Sequence, residues 1–254
     1  MRVFNEISLP YYKINQSKTS FEGILSNSRQ YASIDSNITA ESFESVCMGL
    51  KKKAQDEPLL KNLFNGIQIP FICPKALLED DLGIELEKIT LPSIASSFKA
   101  VYPELHFKAT LQGSSQLSGK LSVATDSRYE RFIEAHRNGA IAGWYFPQAL
   151  QEYDIASQRV QMKTLPFYDG LTLSGGLDTA AALVGSPDLL INADDYPPVL
   201  CLSALKHDDE RLMLCFKSYG QHLEFWCMSQ MLTPEVTQVS EQWSGGLTLF
   251  APID

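Results

Sequence analysis

Arg211-Leu212-Met213-Leu214-Cys215-Phe216-Lys217 and His222-Leu223-Glu224-Phe225-Trp226-Cys227-Met228 are the stretch that decides the fold. Both runs alternate apolar and mixed positions with the period of two that a strand imposes. Ser218-Tyr219-Gly220-Gln221 between them has the composition of a four-residue hairpin loop. Pairing Lys217 with His222 sets Cys215 opposite Glu224 and Met213 opposite Trp226. Leu212, Leu214, Phe216, Leu223, Phe225 and Cys227 then share the other face, which is predicted to be core. Residues 199–205 read as a neighbouring strand, joined to the hairpin through the acidic turn 207–210.

Upstream the pattern changes to helix. Thr39 is a suitable N-cap, and Phe43, Val46, Cys47, Leu50 and Ala54 recur at helical spacing. A second short helix is read from Asp56 and Pro58 through Leu59, Leu60, Leu63 and Phe64 to Gly66. Residues 67–73 form a strand closed by Pro74, residues 75–81 a short helix, and residues 105–111 a half-buried strand. Asp126 opens a helix with Tyr129, Phe132, Ile133 and His136 on one face and Gly139 at its end. The expectation is an α+β fold with a predominantly antiparallel sheet, about six short helices and a hairpin-rich C-terminal half. The chain reads as one compact domain over 1–254. The Gly- and Ser-rich segment 112–119 is a hairpin loop in that reading. In the alternative it is a linker between a helix-richer 1–111 and a strand-richer 120–254.

Composition bounds the function classes. Of 254 residues, 44% are hydrophobic and 20% charged, enough apolar content to build a core without staples. A net charge of −9 repels phosphate backbones, so nucleic acid is not an expected partner. The basic run Lys51-Lys52-Lys53 falls in the last turn of a predicted helix, where cations complement the dipole. No apolar run approaches the length of a membrane span, and residues 1–10 lack a signal-peptide core. Five cysteines at wide, unpatterned spacing are expected as buried thiols, which fits a cytoplasmic chain.

Two constellations could carry chemistry. Ser174-Gly175-Gly176-Leu177-Asp178-Thr179 resembles the PP-loop of the ATP pyrophosphatases, the family that includes argininosuccinate and asparagine synthetases. The resemblance implies that Ser174, Gly175, Gly176, Asp178 and Thr179 hold the pyrophosphate of ATP at a helix N-terminus. The family's loop opens a parallel domain, whereas the pattern after Thr179 is antiparallel. Read from the residues alone, the segment is a glycine turn before a short helix, and no cofactor is predicted. Ser-Gly-Gly-Leu occurs again at Ser244.

The second constellation is the mixed face of the hairpin, which gathers Cys215, Lys217, His222 and Glu224. A histidine and a carboxylate two residues apart share a strand face and could do acid/base work. The same pattern describes the solvated face of any antiparallel sheet. His106, His136, His207 and His222 show no ligand spacing, so no metal site is expected. His136 reads as a core histidine at the end of its helix.

With no complete catalytic signature, the sequence favours a non-catalytic binding or assembly protein, with an unknown protein or small molecule as partner. Tyr145, Phe146, Tyr168, Tyr196 and Trp243 are the aromatics to inspect for a contact surface. The alternative is an enzyme with its site on the 211–228 hairpin, and the more remote one is ATP use by the 174–179 loop.

Overall fold

The computed structural model describes residues 12–77, 81–111, 117–192, 194–219, 222–229 and 242–254. Among them are seven α-helical segments, α1 (Phe21–Ala32) and α6 (Ile155–Thr164) included, and eleven strands in mostly antiparallel sheets, an α+β fold. A four-stranded antiparallel sheet forms the centre, in the order β1 (Ile69–Cys73), β4 (Ala140–Phe146), β11 (Leu247–Ile253), β5 (Leu171–Leu173). Every residue of β1 is buried, which accounts for its unbroken apolar run.

Side-chain alternation along β4 sets out the layers. Trp144 and Phe146 point to one side, where each meets Phe64 edge to face at 5.7 and 5.0 Å. On that side lies α2 (Ala40–Asp56), whose Cys47 carbonyl accepts from Trp144 Nε1 at 2.7 Å. Tyr145 points to the other side, towards α7 (Gly176–Gly185). α5 (Tyr129–Asn138) shares that side, its Phe132 packed on Phe250 of β11 at 5.0 Å. All ten residues of α7 are buried. An apolar helix of this kind, rich in alanine, fits only inside a core.

The helices begin where local chemistry answers their orphan amides. The Thr39 and Ser42 side chains each accept the other's backbone N–H, at 3.1 and 3.0 Å, and close a capping box on α2. Asp81 accepts from Gly83 and Ile84 and starts α3 (Leu82–Ile84). α3 runs through a π-helical turn, Glu85–Thr90, into α4 (Leu91–Val101), so the three make one rod. The short helix read over 75–81 is therefore displaced. Residues 75–77 are not helical, 78–80 lie outside the described residues, and the helix begins after Asp81. The helix read from Asp56 to Gly66 is a series of turns with one 3₁₀ turn at Leu63–Asn65. Pro58 cannot supply the N–H that would continue α2.

The hairpin stands in a five-stranded sheet ordered β10 (Trp243–Ser244), β6 (Val199–Cys201), β8 (Leu212–Tyr219), β9 (His222–Ser229), β2 (Phe107–Leu111). The pairing is Tyr219 with His222, Lys217 with Glu224 and Cys215 with Trp226. This is two residues from the expected register, because Ser218 and Tyr219 continue the strand instead of turning. A shift of two preserves the faces. Leu214, Phe216, Leu223, Phe225 and Cys227 are buried as expected, whereas Leu212 of the same face is half-buried at the strand end. The 199–205 segment splits into β6 and β7 (Leu205–His207), and β7 pairs with β3 (Leu121–Val123).

Strands from both sides of residues 112–119 share sheets, since β1 pairs with β4 and β2 with β9. One contiguous hydrophobic cluster reaches from Ile14 to Ile253. No described helix is long and apolar enough to cross a membrane.

Candidate functional site

On the mixed face of the hairpin, each polar group is already engaged. Glu224 Oε2 accepts from Trp226 Nε1 at 2.6 Å and lies 3.7 Å from Lys217 Nζ. The same ammonium sits 3.7 Å over the Trp226 ring. His222 turns to the sheet edge, where its Nδ1 accepts the His106 N–H at 3.1 Å and its ring stacks on His106 at 5.1 Å. Cys215 is fully buried with Cys201, Ile155 and Val199, under Met213, Trp226 and Trp243. Burial pushes both thiols up, Cys201 to about 12. The strand thus brings Lys217 and Glu224 together and leaves Cys215 and His222 apart from them.

The 174–179 loop lies in the centre of the molecule. Ser174, Asp178 and Thr179 are fully buried. Asp178 Oδ1 accepts from the Tyr129 hydroxyl at 2.8 Å and from the Gly175 N–H at 2.9 Å. Oδ2 accepts from the Thr248 hydroxyl, which also meets Ser174 Oγ at 2.8 Å. The Leu177 N–H goes to the Tyr129 oxygen at 3.2 Å. Tyr129 presses so close that a Cβ on Gly175 would fall 2.4 Å from its Cζ. A phosphate at this helix N-terminus would need the place that ring occupies. Desolvation raises Asp178 to about 6, and these hydrogen bonds oppose the rise. The second Ser-Gly-Gly-Leu closes the same knot. Leu247 pairs with Leu173, and the Ser174 N–H donates to the Gly246 carbonyl.

A third cluster unites residues that no motif connects. Cys73 ends β1, where Pro74 denies the strand another N–H. His136 lies in the last turn of α5, and its carbonyl accepts the Ala76 N–H at 2.8 Å, tying the exit of β1 to the helix end. Glu85 opens the π-turn. Cys73 Sγ stands 3.6 Å from His136 Nδ1, and His136 Nε2 stands 3.9 Å from Glu85 Oε1. All three residues are at most 4% exposed. His136 Nε2 has no hydrogen-bond partner among the described residues. Sulfur and carboxylate approach opposite edges of the imidazole, so the three groups form a line and do not converge on one point as metal ligands do.

A cavity of about 60 Å³ opens on this line. Leu177, Ala180, Ala181 and Val184, one face of α7, form a wall, and Tyr31, Ser33 and Ser93 also line the space. Burial lowers His136 to about 4, opposed by the Pro74 carbonyl beside it. Burial first, then the charges of Asp178 and Glu85, push the Cys73 thiol well above the usual thiol range. The resting pair is thiol and neutral imidazole, with no standing thiolate.

No family model matches the chain, and no curated protein or solved structure matches it. The site therefore stands on its geometry alone. Sequence reasoning placed Cys73 and His136 in the core and overlooked their meeting. The available signals were a Cys-Pro at a strand end and a histidine on an otherwise apolar stripe.

The aromatics expected at a surface do not form a patch. Tyr145 and Phe146 are buried, Tyr168 and Trp243 half-buried, and Tyr196 exposed. Phe167, 66% exposed, stands instead beside an open groove of about 980 Å³, with the Arg131 guanidinium 4.2 Å from its ring.

Proposed function

We propose that this chain is an enzyme that uses Cys73 as a nucleophile, with His136 as its base and Glu85 as the residue that positions the imidazole. The observation that carries this reading is the line Sγ, Nδ1, Nε2, Oε1 on the wall of a cavity. With its proton on Nε2, the imidazole would offer Nδ1 to the thiol and turn its N–H towards Glu85, 3.9 Å away at rest. A nucleophile, a base and a group that orients the base are the parts covalent catalysis requires. Because the pair is neutral at rest, the thiol proton would move to Nδ1 during attack, as in a hydroxyl nucleophile. Glu85 would then stabilise the imidazolium in a site of low dielectric. The π-turn supports the reading, since such turns recur at functional sites.

Release of nitrophenolate from 4-nitrophenyl acetate tests it. Cys73→Ala and His136→Gln are expected to lower the rate by about 100-fold or more. His136 must be neutral to act, so the wild-type rate should hold from pH 5 to 8 and fall as pH drops through about 4. Equal rates for Cys73→Ala and wild type would end the proposal.

The groove beside Phe167 favours a second reading, a binding or assembly protein. It predicts an assembly or a retained ligand in native mass spectrometry that Phe167→Glu removes. A net charge of −9 supports a partner other than nucleic acid, and free, buried cysteines suit a cytoplasmic location. ATP use by the 174–179 loop would require Tyr129 to leave Gly175 and Asp178, and nothing in the packing favours that.

A further inference from the structure

The cavity before Cys73 has a size and a charge, and both restrict what the sulfur can meet. An apolar cavity that holds benzene measures roughly 150 Å³. At about 60 Å³ this one admits a group of roughly two to four non-hydrogen atoms. Its depth is set by α7, where Ala180 and Ala181 are small and almost fully buried. Helical spacing places them on one face with Leu177 and Val184, so a longer side chain at either position would project into the space.

The lining contains the Glu85 carboxylate and hydroxyls such as those of Ser33, Thr90 and Ser93, but neither lysine nor arginine among the described residues. Asp178 adds a second negative field at the sulfur. An anionic group entering here would lose its water and face a carboxylate with no cation to receive it. A cationic group would compete with the imidazole for Glu85. A neutral group meets neither obstacle.

We propose that Cys73 accepts short neutral acyl groups, of acetyl or propionyl size, from an activated ester or thioester, with Ala180 and Ala181 as the residues that limit acyl length. This rests on the nucleophile reading of Cys73. In the first step a bond forms between Sγ and the acyl carbon while the thiol proton passes to His136 Nδ1. The bond from the acyl carbon to the leaving oxygen or sulfur breaks, and the leaving group takes that proton. Water then adds to the thioester, His136 accepting its proton and returning it to the sulfur, which releases the carboxylic acid and restores the thiol.

The test uses the full chain with three probes: 4-nitrophenyl acetate, 4-nitrophenyl hexanoate and the mono-4-nitrophenyl ester of succinic acid. Nitrophenolate release is read beside peptide mapping of the acyl adduct. The acetate is expected to acylate Cys73, with hexanoate and the anionic ester each slower by about tenfold or more. Ala181→Gly should narrow the gap between hexanoate and acetate. Ala181→Leu, checked for folding by thermal melting, should abolish acetylation of Cys73 while leaving the other cysteines unchanged. Equal acylation of Cys73 by all three esters overturns the size and charge inference and leaves the nucleophile standing. Absence of any Cys73 acyl adduct in the wild type overturns both. The charge comparison needs no variant, so a misfolded Ala181→Leu cannot hide the answer.

Discussion

Asp178, in the first turn of helix α7, and His136, across a cavity from later turns of that helix, are buried to similar depth, yet their surroundings differ in kind. Both oxygens of Asp178 are answered, by the Tyr129 hydroxyl, the Gly175 N–H and the Thr248 hydroxyl. His136 keeps a nitrogen without a hydrogen-bond partner among the described residues, and the groups on its two edges stand at 3.6 and 3.9 Å. A buried polar group with every bond made specifies a fold, because only one packing satisfies all its partners. One left short of partners costs free energy and calls for an explanation, of which a chemical role is one. Asp178 thus specifies the fold, and His136 is where the proposed chemistry would reside.

Truncation should separate them most widely. Asp178→Ala would take the buried acceptor from two hydroxyls and an amide, and is expected to cost about 3–5 kcal/mol in urea unfolding. Cys73→Ala removes one sulfur that already borders a cavity, and should cost about 1 kcal/mol. A Cys73→Ala cost as large as that of Asp178→Ala would make the thiol a packing element and dissolve the contrast.

The next effect is a pH dependence hidden by cancellation. Asp178 in the folded chain is raised to about 6 from 3.8, so its contribution is greatest below pH 4 and declines as pH rises through 6. His136 is lowered to about 4 from 6.5, so its contribution is complete above 6.5 and declines as pH falls towards 4. Each slope is on the order of 3 kcal/mol across this window, with opposite sign. The wild-type urea midpoint should therefore change little between pH 4.5 and 6.5 on account of these two groups. Asp178→Asn leaves the histidine slope, and its midpoint should climb with pH. His136→Gln leaves the aspartate slope, and its midpoint should fall. If both variants follow the wild type, the two groups are not held in the states described.

Much of the fold was legible because its signals are local. The stripe Tyr129, Phe132, Ile133, His136 and the alternation in residues 211–228 give helix and strand without any distant partner. Hairpin register was not legible to within two residues, since Ser218 and Tyr219 suit a turn as well as a strand. The Ser174 motif was visible, but its meaning depends on Tyr129, 49 residues before Asp178, and Thr248, 70 residues after it. The Cys73 site left only two local hints, a Cys-Pro at a strand end and a histidine on an apolar stripe, and neither points to the other. Its members come from a strand end, a π-turn and a helix end, and only the packing of β1, α5 and the α3–α4 rod places them together.

Glu224 supplies the smallest effect and a third point on the scale. It lies on the hairpin face where sequence alone looked for chemistry, and its side chain is 16% exposed. Trp226 Nε1 and Lys217 answer it, as Tyr129 and Thr248 answer Asp178, but water reaches the pair. Solvent screening reduces the ion pair, and glutamine can still accept from the indole. Glu224→Gln should therefore cost less than about 1 kcal/mol in urea, and less again at high salt. A cost near that of Asp178→Ala would mean that the Lys217, Glu224 and Trp226 cluster is shielded as deeply as the Asp178 knot. The mixed face of the hairpin would then be a second buried polar centre, and the division between a structural and a chemical site would have to be drawn across three regions.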